Sequence, residues 1–500
     1  MTRAARPLLA FLGGITLVIA SASPVPAASV LRYHDDLAHD GVYVDAAFTR
    51  AAVATLHRDS TFMATTHGAT YAQPLYFEDG ATGRDLILIA TEENGVYALG
   101  ATTGAAVWSR ELGAPVPLSA LPCGNIDPLG ITGTPVIDPA ARTLFLDAMT
   151  TPDGGVTKRH LVFGLSLDDG STRTGYPVDV QAALARSGRA FDSAVQNQRG
   201  ALALMGGTLY VPYGGHNGDC GNYHGWVVGV PIAAPTTVRA WRTKARGGGV
   251  WAPAGVTSDG TSLFVTTGNT FGAVKWSGGE SIIRLHPNLV FSRRRADHFT
   301  PPDWLALDAN DVDLGGTAPI PFDLPGAHPA ALIVALGKDG RMYLANRARL
   351  GGIRAAPAGG RVASGAIITG AAVYTTPTAT YVAFKGNGAH CPGSAGDLTA
   401  IRISPASPPT IQTAWCATQN GTGSPMVTTV DGHVGAIVWG IGAEGDNRLH
   451  GFDGESGEVV FAGGDANDVM GPLARFSTPI AAGGRIVVAG TSAVYVFRPQ

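Results

Sequence analysis

The sequence predicts an all-β chain, an eight-bladed antiparallel β-propeller, and three observations predict it. The first is a recurring short strand: VYAL (96–99), LVFGLSL (161–167), WVVGVPI (226–232), SIIRLH (281–286), RMYLANR (341–347), DLTAIRI (397–403), RLHGFDG (448–454) and AVYVFRP (493–499). Eight copies at a spacing of roughly 45–65 residues fall in the range of propellers and arrays. The second is near-continuous β-branched and apolar runs with almost no helical periodicity, as strands buried on both faces require. The third is a glycine count of 68, which suits a fold made largely of tight turns.

Each unit is built from four strands. The first follows a small residue or Gln and a Pro: QPLYF (73–77), TPVID (134–138), SPMVTT (424–429) and TPIAA (478–482). The second is apolar and β-branched: LILIA (86–90), TLFLD (143–147), SLFVTT (262–267) and RIVVAG (485–490). The third is the recurring strand. The fourth carries an aromatic, as in AVWSREL (106–112) and VRAWRTK (238–244). The eighth unit reaches Gln500 without a fourth strand. The segment STFMATTHG (60–68) precedes the first unit and is expected to supply it. A closed ring then has no open seam.

Residues 1–28 read as a secretory leader. Arg3 and Arg6 precede an apolar stretch and a small-residue segment, with cleavage expected near Ala27 or Ala28. Residues 29–59 are an N-terminal extension and 60–500 a single propeller domain. No further segment is apolar enough to span a membrane, so a secreted or periplasmic protein is expected. The four cysteines fit an oxidising compartment, and three pairings are possible. Cys391 and Cys416 flank strands of one repeat, which favours Cys391–Cys416 and leaves Cys123–Cys220. The formal net charge is −3 with 15% charged residues, so no basic footprint for nucleic acid exists. Arg293–Arg294–Arg295 reads as a solvated strand end. The chain has no G-x-S-x-G, H-E-x-x-H, P-loop or C-x-x-C motif.

Between third and fourth strands the first unit reads ALGATTGAAVW (98–108) and the seventh GFDGESGEVVF (451–461). This resembles the repeat of the pyrroloquinoline quinone (PQQ) propeller superfamily, in which an Ala/Asp–Gly–Trp pattern docks neighbouring blades. Trp108 is then a docking residue. The catalytic branch of that superfamily, the quinoprotein dehydrogenases, holds its quinone in the central channel over a tryptophan and beside calcium. An Asp serves as base and a basic residue bonds the quinone. The segment GGGVWAPAGVTSDGTSLFVTTGNT (247–270) is similar to the family's floor-and-ligand segment, with Trp251 at the floor and Asn269 at a calcium-ligand position. ANDVDLGGTAPIPF (309–322) places Asp313 at the catalytic base, although Val312 stands where a tryptophan is usual. ALGKDGRMYLANR (335–347) places Lys338 at the basic residue.

Two departures oppose that chemistry. AVQNQRG (194–200) offers Gln196, Asn197 and Gln198 where the family has a carboxylate ligand. In LPCGNIDPLGITGTP (121–135), Gly124 replaces the second of two adjacent cysteines beside Cys123. No haem-attachment motif is present. Two looser groups complete the candidates: His216, Asp219 and His224 as imidazole and carboxylate donors, and an acidic loop of Asp297, His298, Asp303, Asp308, Asp311 and Asp313 around Trp304. The expected function is an exported, non-catalytic binding or assembly platform, taking a protein, glycan or small-molecule ligand on its loop face. The alternative is a PQQ- and calcium-dependent dehydrogenase of alcohols or sugars.

Overall fold

A computed structural model describes residues 1, 29–391 and 396–500. The leader expected over 1–28 lies, but for Met1, outside these. Eight sheets of four or five strands follow one another along the chain. Blades one to eight span 75–111, 136–179, 196–242, 257–300, 320–361, 371–417, 426–461 and 480–499. Their third strands coincide with the eight recurring segments, from Gly95–Gly100 in blade one to Ala493–Pro499 in blade eight. Inner strands are buried along their length, such as Leu75–Phe77 and Met426–Thr429, because each faces a neighbouring blade on both sides. No helix among the described residues is long and apolar enough to cross a membrane.

Blade docking uses the glycine–tryptophan pattern. The Trp108 indole N–H donates to Leu167 O at 2.8 Å in blade two. A Cβ on Gly170 would lie 2.7 Å from its ring, so only glycine fits (φ +70°). Trp415 repeats this on blade seven, donating to Gly454 O at 3.0 Å beside Gly457.

An N-terminal strand closes blade eight, with bounds that differ from 60–68. Leu56–Arg58 and Ala64–Thr65 both pair antiparallel with Ala493–Pro499. The pairing starts earlier because Leu56, 1% exposed, is an apolar anchor on the ring. Residues 29–59, expected as an extension, also contribute Val42–Val44, which runs parallel to the inner strand of blade seven. Residues 29–41 occupy the channel. Val30 bridges Tyr76 of blade one, Leu31 O accepts from Ile137, Leu37 O from Ser258, and Asp40 O from Val373. This stretch carries Tyr33, His34 and His39 into the middle of the ring, where all three are buried. One end of the channel is thereby filled, and the other remains open.

Two disulfides join Cys123 to Cys220 and Cys391 to Cys416, and no cysteine is free.

Candidate functional site

The open end of the channel is a cavity of about 400 Å³. It is framed by the connections between blades and by the loops joining second to third strands. Trp251, Asn269, Asp313 and Lys338 all line it, although they come from two connections between blades and two loops joining second to third strands.

Local chemistry sets each position. Asp313 precedes a single 3-10 turn, Leu314–Gly316, and is 3% exposed. Its Oδ1 accepts from the Asn269 backbone N–H at 2.9 Å and its Oδ2 from Trp251 Nε1 at 3.0 Å. Gly268 allows that approach: a Cβ there would lie 2.9 Å from Trp251 Nε1 and 3.0 Å from Asp313 Cγ. Lys338 opens a hairpin turn whose backbone N–H donates to Asp313 O at 2.8 Å. Its Nζ lies 3.1 Å from Asp313 Oδ2 and 2.8 Å from Asp311 Oδ1, and 5.3 Å from the centre of the Trp251 ring. That places a cation near an aromatic face, within the range of cation–π attraction.

Burial pushes the Asp313 carboxyl above the ordinary range, outweighing the pull of Lys338 and the Asn269 N–H. Burial works against the Lys338 ammonium, but Asp313 and Asp311 overcome it and hold its pKa above the usual lysine value. Behind Asp313 sits Glu280, fully buried, its Oε2 accepting from Leu314 N–H at 2.6 Å. Burial and then the Asp313 charge keep Glu280 protonated well beyond the usual range.

Other lining residues carry no sequence signature. Arg199 reaches the cavity from the inner edge of blade three and Arg475 from the connection between blades seven and eight, with Tyr223 and Phe476 adding aromatic surface. Arg199 Nε is buried without a hydrogen-bond partner among the described residues, and burial lowers the pKa of this guanidinium. Its charge is thus poorly satisfied by the protein alone. Unpaired motifs of charge in connecting loops are the only signal that sequence could have offered.

The looser groups separate. His216 lines the cavity and bonds Ala194 O, and burial lowers its pKa to about 4. Asp219 accepts from Tyr223 Oη at 2.5 Å, while His224 bonds Ala245 O. The three do not form a metal-sized cluster. The acidic loop also divides: Asp297 pairs with Arg284, Asp308 accepts from Thr270, and Asp311 and Asp313 share Lys338.

Calcium requires about six to eight oxygen ligands, and these residues do not fit it. Both Asp313 oxygens face nitrogen donors. The Gln196 amide is engaged within blade three, donating to Gly214 O and His224 O and accepting from His224 N–H. Gln198 donates to Gly200 O at 2.5 Å, and none of Gln196, Asn197 and Gln198 lines the cavity. Among the described residues, the group with ligating atoms within 4.8 Å of one another is His57, Asp465 and Asp468, at the closing edge of blade eight. Asp468 is already engaged there by His57 and two backbone N–H groups.

No protein-family model matches the sequence, and no curated protein matches it. The fold is that of the eight-bladed quinoprotein propellers. It is similar to the quinohemoprotein alcohol dehydrogenase of Comamonas testosteroni, with 14% identity, a TM-score of 0.64 and coverage of 96% of this chain and 81% of that one. It is also similar to a quinohemoprotein alcohol dehydrogenase of Pseudomonas putida HK5, at 13% identity and TM-score 0.64, covering 94% and 80%. A europium-containing methanol dehydrogenase gives 13% identity and TM-score 0.61, covering 94% of this chain and 98% of that one. At these identities the likeness is one of fold.

Proposed function

We propose that this is an extracytoplasmic binding propeller whose central cavity takes a planar, anionic aromatic compound of the PQQ type without a divalent ion. One observation carries the reading: the Trp251 ring lines a cavity together with Lys338, Arg199 and Arg475. Asp219, Asp311 and Asp313 line it too, Lys338 is paired with Asp311 and Asp313 and Arg475 with Glu444, so Arg199 is the cation left to meet a flat anion stacked on the aromatic face. Two disulfides support an oxidising compartment. Trp251 would lie against the ring system, and Arg199 would meet a carboxylate of the ligand.

A second reading, dehydrogenation of an alcohol or sugar, is favoured by Asp313. Bound PQQ would supply a quinone able to accept two electrons from such a substrate. A buried carboxylate at the cavity wall with a raised pKa suits a general base. Lys338 would hold Asp313 in place and offer a charge to an oxygen that becomes negative.

Titration of the purified protein with PQQ, followed by tryptophan fluorescence, tests the binding reading in calcium and in EDTA. Equal quenching in both, weakened in Trp251→Ala and Lys338→Met, is the expected result. No quenching at micromolar PQQ would overturn it. Alcohol-dependent reduction of an artificial acceptor by the loaded protein, lost in Asp313→Asn, would decide the second reading.

A further inference from the structure

Blade three carries Trp241 in its outer strand, Arg239–Arg242, where blade one carries Trp108 and blade six Trp415. In those blades the indole N–H bonds a carbonyl of the next blade and the ring covers a glycine. Blade four has no such glycine turn. Two 3-10 turns, Pro287–Leu289 and Arg295–Asp297, and the residues between them replace it. Trp241 instead meets Phe291 edge-on, with centroids 6.0 Å apart. It is only 7% exposed, yet its indole N–H makes no hydrogen bond among the described residues.

The missing turn leaves a groove of about 580 Å³ between blades three and four. Trp241, Phe291 and Trp276 form its aromatic wall. Trp276 is held rigidly, donating to Gly279 O at 3.1 Å and Ser281 Oγ at 3.0 Å and stacking on His298 at 4.1 Å. Arg189, Arg242, Lys244 and Arg293 line the same groove, and no carboxylate does. None of these four makes a salt bridge among the described residues, although the whole chain has a net charge of −3. Burial and the neighbouring Arg189 charge lower the Arg242 pKa, as expected of cations gathered without a counter-ion.

We propose that this groove binds an anionic oligosaccharide, its charge borne by carboxylate or sulfate groups. Trp276 and Phe291, both partly exposed, offer aromatic surface that suits the apolar faces of sugar rings. The unused Trp241 N–H suits a hydroxyl, and the four cations suit the acidic substituents. The volume is that of a small-molecule site. An extended nucleic acid would need a longer basic track than one groove on an acidic protein. The site is separate from the central cavity, though the loop after Asn269 leads from one to the other.

Calorimetric titration of the full disulfide-bonded chain tests this, using a galacturonic acid trisaccharide, a heparin-derived tetrasaccharide and neutral maltotriose. One or both anionic sugars should bind, more weakly as salt rises, and maltotriose should not. The arm that binds identifies carboxylate or sulfate as the preferred charge. Arg242→Gln with Lys244→Gln, both exposed residues, should weaken binding at least tenfold, and Trp276→Ala should weaken it similarly. Lys338→Met, in the central cavity, should leave it unchanged. Failure of both acidic sugars to bind, affinity unaltered by the charge substitutions, or equal affinity for a short oligo-dT would overturn the proposal.

Discussion

Lys338 Nζ lies 3.1 Å from Asp313 Oδ2, so the acid that faces the cavity has its counter-charge at the cavity wall. The acid is 4% exposed in its side chain and the lysine 22%, which makes the pair asymmetric. Removing the lysine leaves a charge stranded in the protein, whereas removing both leaves none.

The Lys338→Met variant should therefore lose about 2 kcal/mol at pH 7, below the range for fully buried pairs because water reaches Lys338. Without Lys338 the Asp313 pKa rises further, and a protonated acid needs no partner. The deficit should shrink as pH falls through that raised pKa. Urea unfolding of both proteins at pH 7 and pH 5 checks this, and an equal deficit at both would contradict the pair.

Calcium removal should leave the melting temperature unchanged. A resident ion at a hundred times its dissociation constant would add about 2.7 kcal/mol to the folded state, and its removal would be visible. The stretch expected to supply a carboxylate ligand offers Gln196, Asn197 and Gln198 instead, and the Gln196 amide is satisfied inside blade three. Calorimetric scans in EDTA and in calcium should superimpose. A lower transition in EDTA would mean that another ligand set is present.

The ring was legible because one strand recurs with its flanks, and eight third strands stand where the eight segments predicted them. The docking role of Trp108 was legible through the resemblance of its repeat, whereas its partner Gly170 was not, because the turn that must accept the indole belongs to the next blade. The four cavity residues could be placed only by family resemblance, since each stands in an ordinary turn or connection. Residues 29–45 were opaque. They enter the channel chiefly through backbone hydrogen bonds to inner strands, which leave no pattern in side chains. Arg199 and Arg475 were equally hidden, because blade three and the connection between blades seven and eight meet only when the ring closes.

The channel segment should give the protein a measurable pH response through His39. Its Nδ1 bonds Ala254 O at 2.7 Å, its Nε2 is buried without a partner, and burial lowers its pKa to about 3. The unfolded chain takes up this proton near the ordinary histidine pKa. Between those values the unfolded state binds more protons, so stability falls as pH falls. Burial likewise takes His34 down to about 4, whereas burial raises Asp35 to about 6 and acts with opposite sign. The comparison is therefore best made by difference. His39→Asn keeps an N–H for Ala254 and removes the titration. Relative to this variant, the natural protein should lose about 1.4 kcal/mol per pH unit between pH 6 and pH 4, read from denaturant midpoints. A constant difference would place His39 in contact with water.

Closure of the ring makes the last prediction, because the closing strand meets blade one at a glycine with no room for a side chain. The Met63 N–H donates to Thr103 O at 3.0 Å, and a Cβ on Gly104 would lie 2.6 Å from Met63 O. Gly104 also has φ +76°, which any other residue adopts at a cost of about 1–2 kcal/mol. The steric part can be isolated with Gly188, where φ is +71° and no atom lies within 4 Å of the added Cβ. Both Gly→Ala variants carry the backbone cost, but only Gly104→Ala pushes against the closing strand. It should be less stable than Gly188→Ala by about 2 kcal/mol, the usual scale for overpacking. The extra loss should appear as faster amide exchange at Ala64 and Thr65, whose strand is the one displaced. Equal stability of the two variants would show that the seam yields without cost, and that the closing strand is held by Leu56–Arg58 alone.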